Sequence, residues 1–144
     1  MKKSFTLACI ALASTLFAND ILPLEKEKTT ILSFFASWCP SCKKELPQLA
    51  KLHAAYQKQG IEIIGIDVDK KLEDAMKFQE KMKEHLPFKV INDTSNSIVA
   101  HYKPLGMPAI FIVRDNEVCA TIFGAEEHLE QRLEQELQNC KEKQ

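Results

Sequence analysis

Cys39 and Cys42, separated by Pro40 and Ser41, are the residues of this chain best placed to do chemistry. An apolar, β-prone run from Ile31 to Ala36 ends just before them at Trp38, and a helical pattern carrying Leu46, Leu49, Leu52, Ala55 and Tyr56 on one face begins just after. The pair therefore stands where a strand gives way to a helix. Unpaired N–H groups and the positive end of the helix dipole favour an anion there, so the Cys39 sulfur is expected as thiolate at a lower pH than a free thiol. Cys42, one turn on, is placed to attack a mixed disulfide on Cys39 and close an internal one. That chemistry is thiol–disulfide exchange, with the cysteine pair as redox centre and no metal or cofactor called for. Two plainer readings compete: half of a zinc site, and a structural bridge. Zinc takes four ligands, but the sequence holds no second Cys-x-x-Cys, and His53, His85, His101 and His128 are scattered. A structural bridge would be an odd use of a helix start beside a tryptophan expected at the surface.

Positioning the pair falls to a regular alternation of elements. Thr30 to Ala36 reads as a strand buried on both faces, because its apolar run is continuous rather than alternating. A helix is expected from Pro40 to Gln59, with Pro40 tolerated at its start, Pro47 kinking it and Gly60 ending it. Ile61 to Val68 is the next buried strand. Leu72, Ala75, Met76, Gln79 and Met82 mark a helix from Lys70 to Lys83; Pro87 breaks it, and Phe88 to Ile91 forms a short strand. Asn92 to Ser95 caps a helix that runs to Tyr102. Strands Ala109 to Val113 and Val118 to Phe123 flank an Arg114-Asp115-Asn116 turn, and a closing helix spans Glu126 to Asn139. Ile21 to Leu24 reads as a short first strand ahead of a charged turn. This order predicts an α/β fold with a central mixed sheet and helices on both faces.

With 144 residues, 45% of them hydrophobic, the chain has material for one core, and its formal net charge of −1 gives no case for nucleic acid or an anionic membrane. The N-terminus has the form of a secretory leader: Lys2 and Lys3, then an apolar stretch from Phe5 to Phe17 that is short for a membrane span. Residues 1–18 are read as a signal peptide and 19–144 as the domain. An uncleaved leader would anchor the chain instead. Cys9 would leave with the leader, and the remaining four cysteines would meet an oxidising compartment.

Trp38-Cys39-Pro40-Ser41-Cys42 is followed by two more landmarks in order. Gly106-Met107-Pro108-Ala109 precedes the apolar Ile110 to Val113, and Glu117 to Thr121 leads to Gly124-Ala125. On these, and on Pro47 following the second cysteine, the chain from about Thr30 to Leu137 resembles the thioredoxin superfamily, and within it the secreted TlpA/ResA/CcmG-type disulfide reductases. The helix and strand at about 70–91 resemble that group's insertion. The resemblance implies a monomeric periplasmic reductase fed electrons by a membrane thiol reductase. Its substrates would be cysteine-containing exported proteins, with apocytochrome c a natural one. It also implies a cis Met107–Pro108 bond opposite the cysteines, with the Met107 backbone pairing to an extended substrate, and Trp38 and Pro40 flanking the bond that exchanges. Lys43 and Lys44 either favour the thiolate or are solvated surface. Two departures stand out. Ser33 occupies the place where thioredoxins carry a buried acid that takes the resolving thiol's proton, so water, Lys43 or another carboxylate such as Glu45 must serve; and Ala109 replaces the glutamate common after the cis-proline in CcmG-type proteins. The rivals are an oxidase or isomerase that donates its disulfide, and a chaperone-like module that uses the same groove without turnover.

Cys119 and Cys140 have no role in that resemblance. Leu129, Leu133, Leu137 and Cys140 share one helix face. The last strand from Cys119 to Gly124 advances ~16 Å at ~3.3 Å per residue, and the helix from Glu126 to Cys140 returns ~21 Å at ~1.5 Å per residue. The lengths nearly cancel, so either a structural disulfide forms or, if Cys119 faces the other side of the sheet, two buried thiols remain.

Overall fold

The computed structural model describes residues 21–143. The expected leader over 1–18 lies outside the described residues. Five strands, β1 (Thr29–Phe35), β2 (Ile61–Asp67), β3 (Lys89–Asn92), β4 (Ala109–Arg114) and β5 (Glu117–Phe123), form one sheet in the order β3-β2-β1-β4-β5. β1, β2 and β3 run parallel, while β4 is antiparallel to β1 and β5 to β4. The helices are α1 (Pro40–Lys58), α2 (Leu72–Lys81), α3 (Ser97–Tyr102) and α4 (Leu129–Glu142), with a 3-10 turn at Lys83–His85. This is the thioredoxin-like arrangement expected, with α2 and β3 in the 70–91 region.

β1 is central, which explains its unbroken apolar run: both of its faces are covered. Ile31 and Phe35 pack with Leu46 and Leu49 of α1 and Leu129 and Leu133 of α4. Leu32 and Phe34 point the other way, into a second cluster with Phe111 and with Ile98 of α3. Both cysteines of the Cys-x-x-Cys pair belong to the first cluster. No helix among the described residues is long and apolar enough to cross a membrane.

Several local expectations shift. Ile21 to Leu24 forms no strand; Leu22 instead buries itself in the second cluster. α3 is capped from further back than its N-cap residue, Asn96: the Asp93 carboxylate accepts from the N–H groups of Ile98 (3.1 Å) and Val99 (2.8 Å). The β4–β5 hairpin turns on two residues, Asp115 and Asn116, both with positive φ (53° and 63°), the combination that a two-residue type I′ turn needs. α4 starts and ends about three residues later than periodicity placed it, which puts Cys140 inside the helix rather than beyond it.

Candidate active site

The site is built where β1 ends. Phe35 is the last strand residue, and the chain turns at once, the Cys39 N–H donating to the Ala36 carbonyl (3.2 Å). Ser37, inside that turn, is held twice by one carboxylate: its N–H (2.9 Å) and its hydroxyl (2.8 Å) both donate to Asp69. Asp69 follows β2, the neighbour of β1. Its own N–H donates to Asp67 (3.0 Å), whose other oxygen accepts from the Gln79 amide (2.9 Å). The chain carrying the cysteines is thereby tied to β2 and α2. With Ser37 fixed and Cys39 turned inward, Trp38 projects from the surface, 64% exposed.

Cys39 is the N-cap residue of α1, with Pro40 at the first helical position, where its missing N–H leaves no bond unmade. The Cys42 N–H donates to Cys39 Sγ at 3.1 Å. An orphan donor of the helix start is therefore aimed at the sulfur that would carry negative charge. The two cysteines are joined, with Cα atoms 5.3 Å apart. Exposure does not set the attacking cysteine apart from the resolving one. In this oxidised form both are buried, at 4% and 1% exposure, because Cys39 faces the core shared by β1 and α1.

Met107–Pro108 is a cis peptide bond. Ala109 pairs with Phe34, so Pro108 stands level with the end of β1, beside the turn that carries the cysteines. The Pro108 carbonyl accepts from Gly124 (3.0 Å). Met107 packs against the core cluster containing both cysteines and lines one cavity with Trp38. The structure thus brings Trp38, Cys39, Pro40, Cys42, Met107 and Pro108 to one end of the sheet.

Glu45 changes most between sequence and structure. It is 3% exposed, its Oε2 has no hydrogen-bond partner, and burial, with Glu126 nearby, pushes its carboxyl up to about 8. It lies one turn after Cys42 on the buried side of α1. The signal was present, since Cys42, Glu45, Leu46, Leu49, Leu52 and Tyr56 form one stripe at helical spacing. Ser33 is fully buried on the face of β1 that carries Ile31 and Phe35, with its hydroxyl unpartnered. The carboxyl of this core is supplied by α1, not by β1. Asp67 and Asp69 stand at the end of β2. Both are buried, and burial, with Asp69 adding repulsion, pushes Asp67 up to about 6 despite the Gln79 hydrogen bond that opposes it. No cluster of three or more metal-ligating side chains occurs among the described residues.

Cys119 and Cys140 are bridged, with Cα atoms 5.5 Å apart. Cys119 is the extra residue of a β-bulge: Ala120 pairs with Ile112 and Val118 with Val113, leaving Cys119 between them unpaired. A bulge re-aims its side chains, and here it turns Cys119 to the face covered by α4. Ile112 and Val113 lie beside Ile31 and Thr30, near the start of β1. This bridge is therefore at the opposite end of the sheet from Cys39–Cys42.

Comparison with known proteins agrees with this geometry. The chain is 34% identical over 114 residues to the thiol-disulfide oxidoreductase ResA of Bacillus cereus, covering 78% of this chain and 64% of that protein. It spans just under two thirds of the length of the ResA relatives it matches. A DsbE-type thiol:disulfide interchange protein from Chlorobium tepidum superposes with a TM-score of 0.71 at 28% identity, covering 78% of this chain and 79% of that one. StoA from Bacillus subtilis superposes at 0.67 with 25% identity, covering 78% and 84%. The model of the AhpC/TSA family matches residues 4–122, most of the sequence. With the sheet order and the cysteine pair at the start of α1 in agreement, this chain belongs to the AhpC/TSA family.

Proposed function

We propose that the protein is a thiol–disulfide oxidoreductase that works as a disulfide reductase on exported, cysteine-containing proteins. The observation that carries this is the Cys39–Cys42 disulfide at the N-cap of α1, with a helix N–H on Cys39 Sγ. In the reduced protein the Cys39 thiolate attacks a substrate disulfide; one substrate sulfur leaves as thiolate and takes a proton from water. Cys42 then loses its proton and attacks Cys39, releasing the second substrate thiolate. The substrate disulfide has gained two electrons and the protein dithiol has lost two. In its ionised form Glu45 accepts the Cys42 proton: burial raises that carboxyl to about 8 in the disulfide state, close to the ~8.5 of a free thiol, so the transfer is nearly balanced and proceeds through the minor fraction of Glu45 that is ionised near neutral pH. A membrane thiol reductase returns the electrons as a dithiol. The leader-like N-terminus supports a periplasmic setting, and the sequence resemblance to the TlpA/ResA/CcmG group supports apocytochrome c as one substrate.

Trapping tests the reading. Cys42→Ser should accumulate mixed disulfides through Cys39, and Cys39→Ser should accumulate none; equal trapping by both variants would overturn the assignment. A reduction potential near about −270 mV supports a reductase, and one near about −120 mV an oxidant.

A further inference from the structure

Two cavities flank the cysteine pair. One, of about 400 Å³, is lined by Trp38 and Met107 together with Lys70 and Lys71. The other, of about 380 Å³, is lined by Ser37 and Phe78 with Lys43, Lys77 and Lys81. Lys77 is held by Glu73 at 2.6 Å. The remaining four lysines are exposed and make no ion pair among the described residues. Among the described residues only two carboxylates line these cavities, Asp74 and the buried Asp69, which is occupied by Ser37. The rim is thus positive in a chain whose formal net charge is −1.

Lysines on a helix surface are ordinarily just solvated. These come from the start of α1, from the β2–α2 connection and from the end of α2: Lys70 and Lys71 share a cavity with the exposed Trp38, and Lys43 and Lys81 line the second cavity with Ser37, the residue before Trp38. We propose that this rim selects polypeptide segments carrying Asp or Glu on either side of the reacting cysteine. The inference rests on the oxidoreductase reading and adds the substrate's charge to it. Trp38 and Met107 provide apolar contact near the cysteine, and the lysines attract carboxylates on the flanking residues. Such complementarity raises encounter rates and suppresses partners of like charge more than it adds affinity. Long, flexible lysine stems suit a variable sequence, whereas the fixed fork of arginine suits a fixed geometry.

The test uses peptides with one disulfide, identical except for Asp/Glu, Asn/Gln or Lys/Arg beside the cysteines. The reduced protein should reduce the acidic peptide about tenfold faster than the basic one at low ionic strength, and the ratio should shrink in 0.5 M salt. In the Lys70→Glu, Lys71→Glu, Lys81→Glu triple variant the acidic-to-basic ratio should invert; being a ratio within one variant, it is independent of any general loss of activity. A ratio near one in the unaltered protein, or one unmoved by the triple variant, would overturn the proposal. Trp38 is the chain's single tryptophan, so its fluorescence reports docking of matching peptides with serine for cysteine. Acidic peptides that dock without any peptide being reduced would sink the oxidoreductase reading and leave the docking surface standing. Binding to phosphatidylglycerol vesicles with no docking of acidic peptides would mark a lipid-facing surface and overturn the proposal.

Discussion

A carboxyl oxygen sealed in an apolar core without a donor costs the fold ~1–3 kcal/mol, and Glu45 Oε2 is in that position. Its placement one turn after Cys42 gives the cost a use. In Glu45→Gln the first attack by Cys39 should proceed, whereas resolution by Cys42 should slow by about 100-fold or more, the usual scale of a lost proton acceptor. Stopped-flow followed by acid quench would then show the mixed disulfide accumulating, more so at pH 7 than at pH 9, where hydroxide takes over. Unchanged resolution would remove Glu45 from the mechanism. At the same scale, Asp69→Ala leaves the Ser37 N–H without its acceptor. We expect ~1–3 kcal/mol lower stability and altered Trp38 emission, measured by urea unfolding and fluorescence; an unchanged spectrum would mean that Asp69 does not set the turn. The cysteine pair could be read directly from the sequence, because spacing alone identifies it. Glu45 could have been read from the α1 stripe, but a charged residue in an apolar stripe is ordinarily turned outward. Asp69 could not, since its partner Ser37 is 32 residues away in the chain.

Elements were readable where punctuation is strong. Gly60, Pro87 and the Asp115-Asn116 turn mark ends that follow from backbone chemistry, and every element except the expected strand over Ile21 to Leu24 lies within a few residues of its expected place. The bulge at Cys119 was not readable, because strand parity says nothing about a residue that the partner strand skips. That bulge makes the second bridge, which staples edge strand β5 to α4 across a separation of 21 residues. Replacing both Cys119 and Cys140 by Ala should lower the unfolding free energy by ~3 kcal/mol, the scale for a closed loop of this size, while the trapping behaviour of Cys39 is retained. Urea midpoints read the first, and a loss below ~0.5 kcal/mol would mean that the Leu129, Leu133 and Leu137 face holds α4 unaided. Gly65 is an element-scale constraint of another kind. A Cβ there would lie 2.8 Å from Phe35 Cε1 and 3.2 Å from Val90 Cγ2, so strand packing at the base of the site excludes any side chain on β2 at this point.

At the scale of the whole molecule, two buried carboxyls tilt stability towards acid. Glu45 rises from an ordinary 4.5 to about 8 on folding, chiefly through burial, and Asp67 from 3.8 to about 6 for the same first reason. A raised acid binds its proton in the folded state at a pH where the unfolded chain has released it, so folding takes up protons across that interval. Stability is then greatest below the unfolded values, falls from about pH 4 to 6 as Asp67 is forced to ionise inside the fold, and goes on falling to about pH 8 as Glu45 follows. Most proteins show the opposite trend, because their carboxylates are paired in the native state and lose those pairs in acid. Here the four ion pairs that acidic residues make with lysine or with Arg132 among the described residues join side chains that are mostly exposed, and such pairs contribute little. The oxidised protein should therefore be more stable at pH 5 than at pH 8.5, by roughly 2–4 kcal/mol, as read from urea unfolding at a series of pH values. Glu45→Gln should flatten the curve above pH 6, and Asp67→Asn should lessen the slope below it, where Glu45 still contributes. A profile that rises from pH 5 to 8.5 would show that neither carboxyl is held protonated by the fold, and would remove with it the ground for Glu45 as keeper of the Cys42 proton.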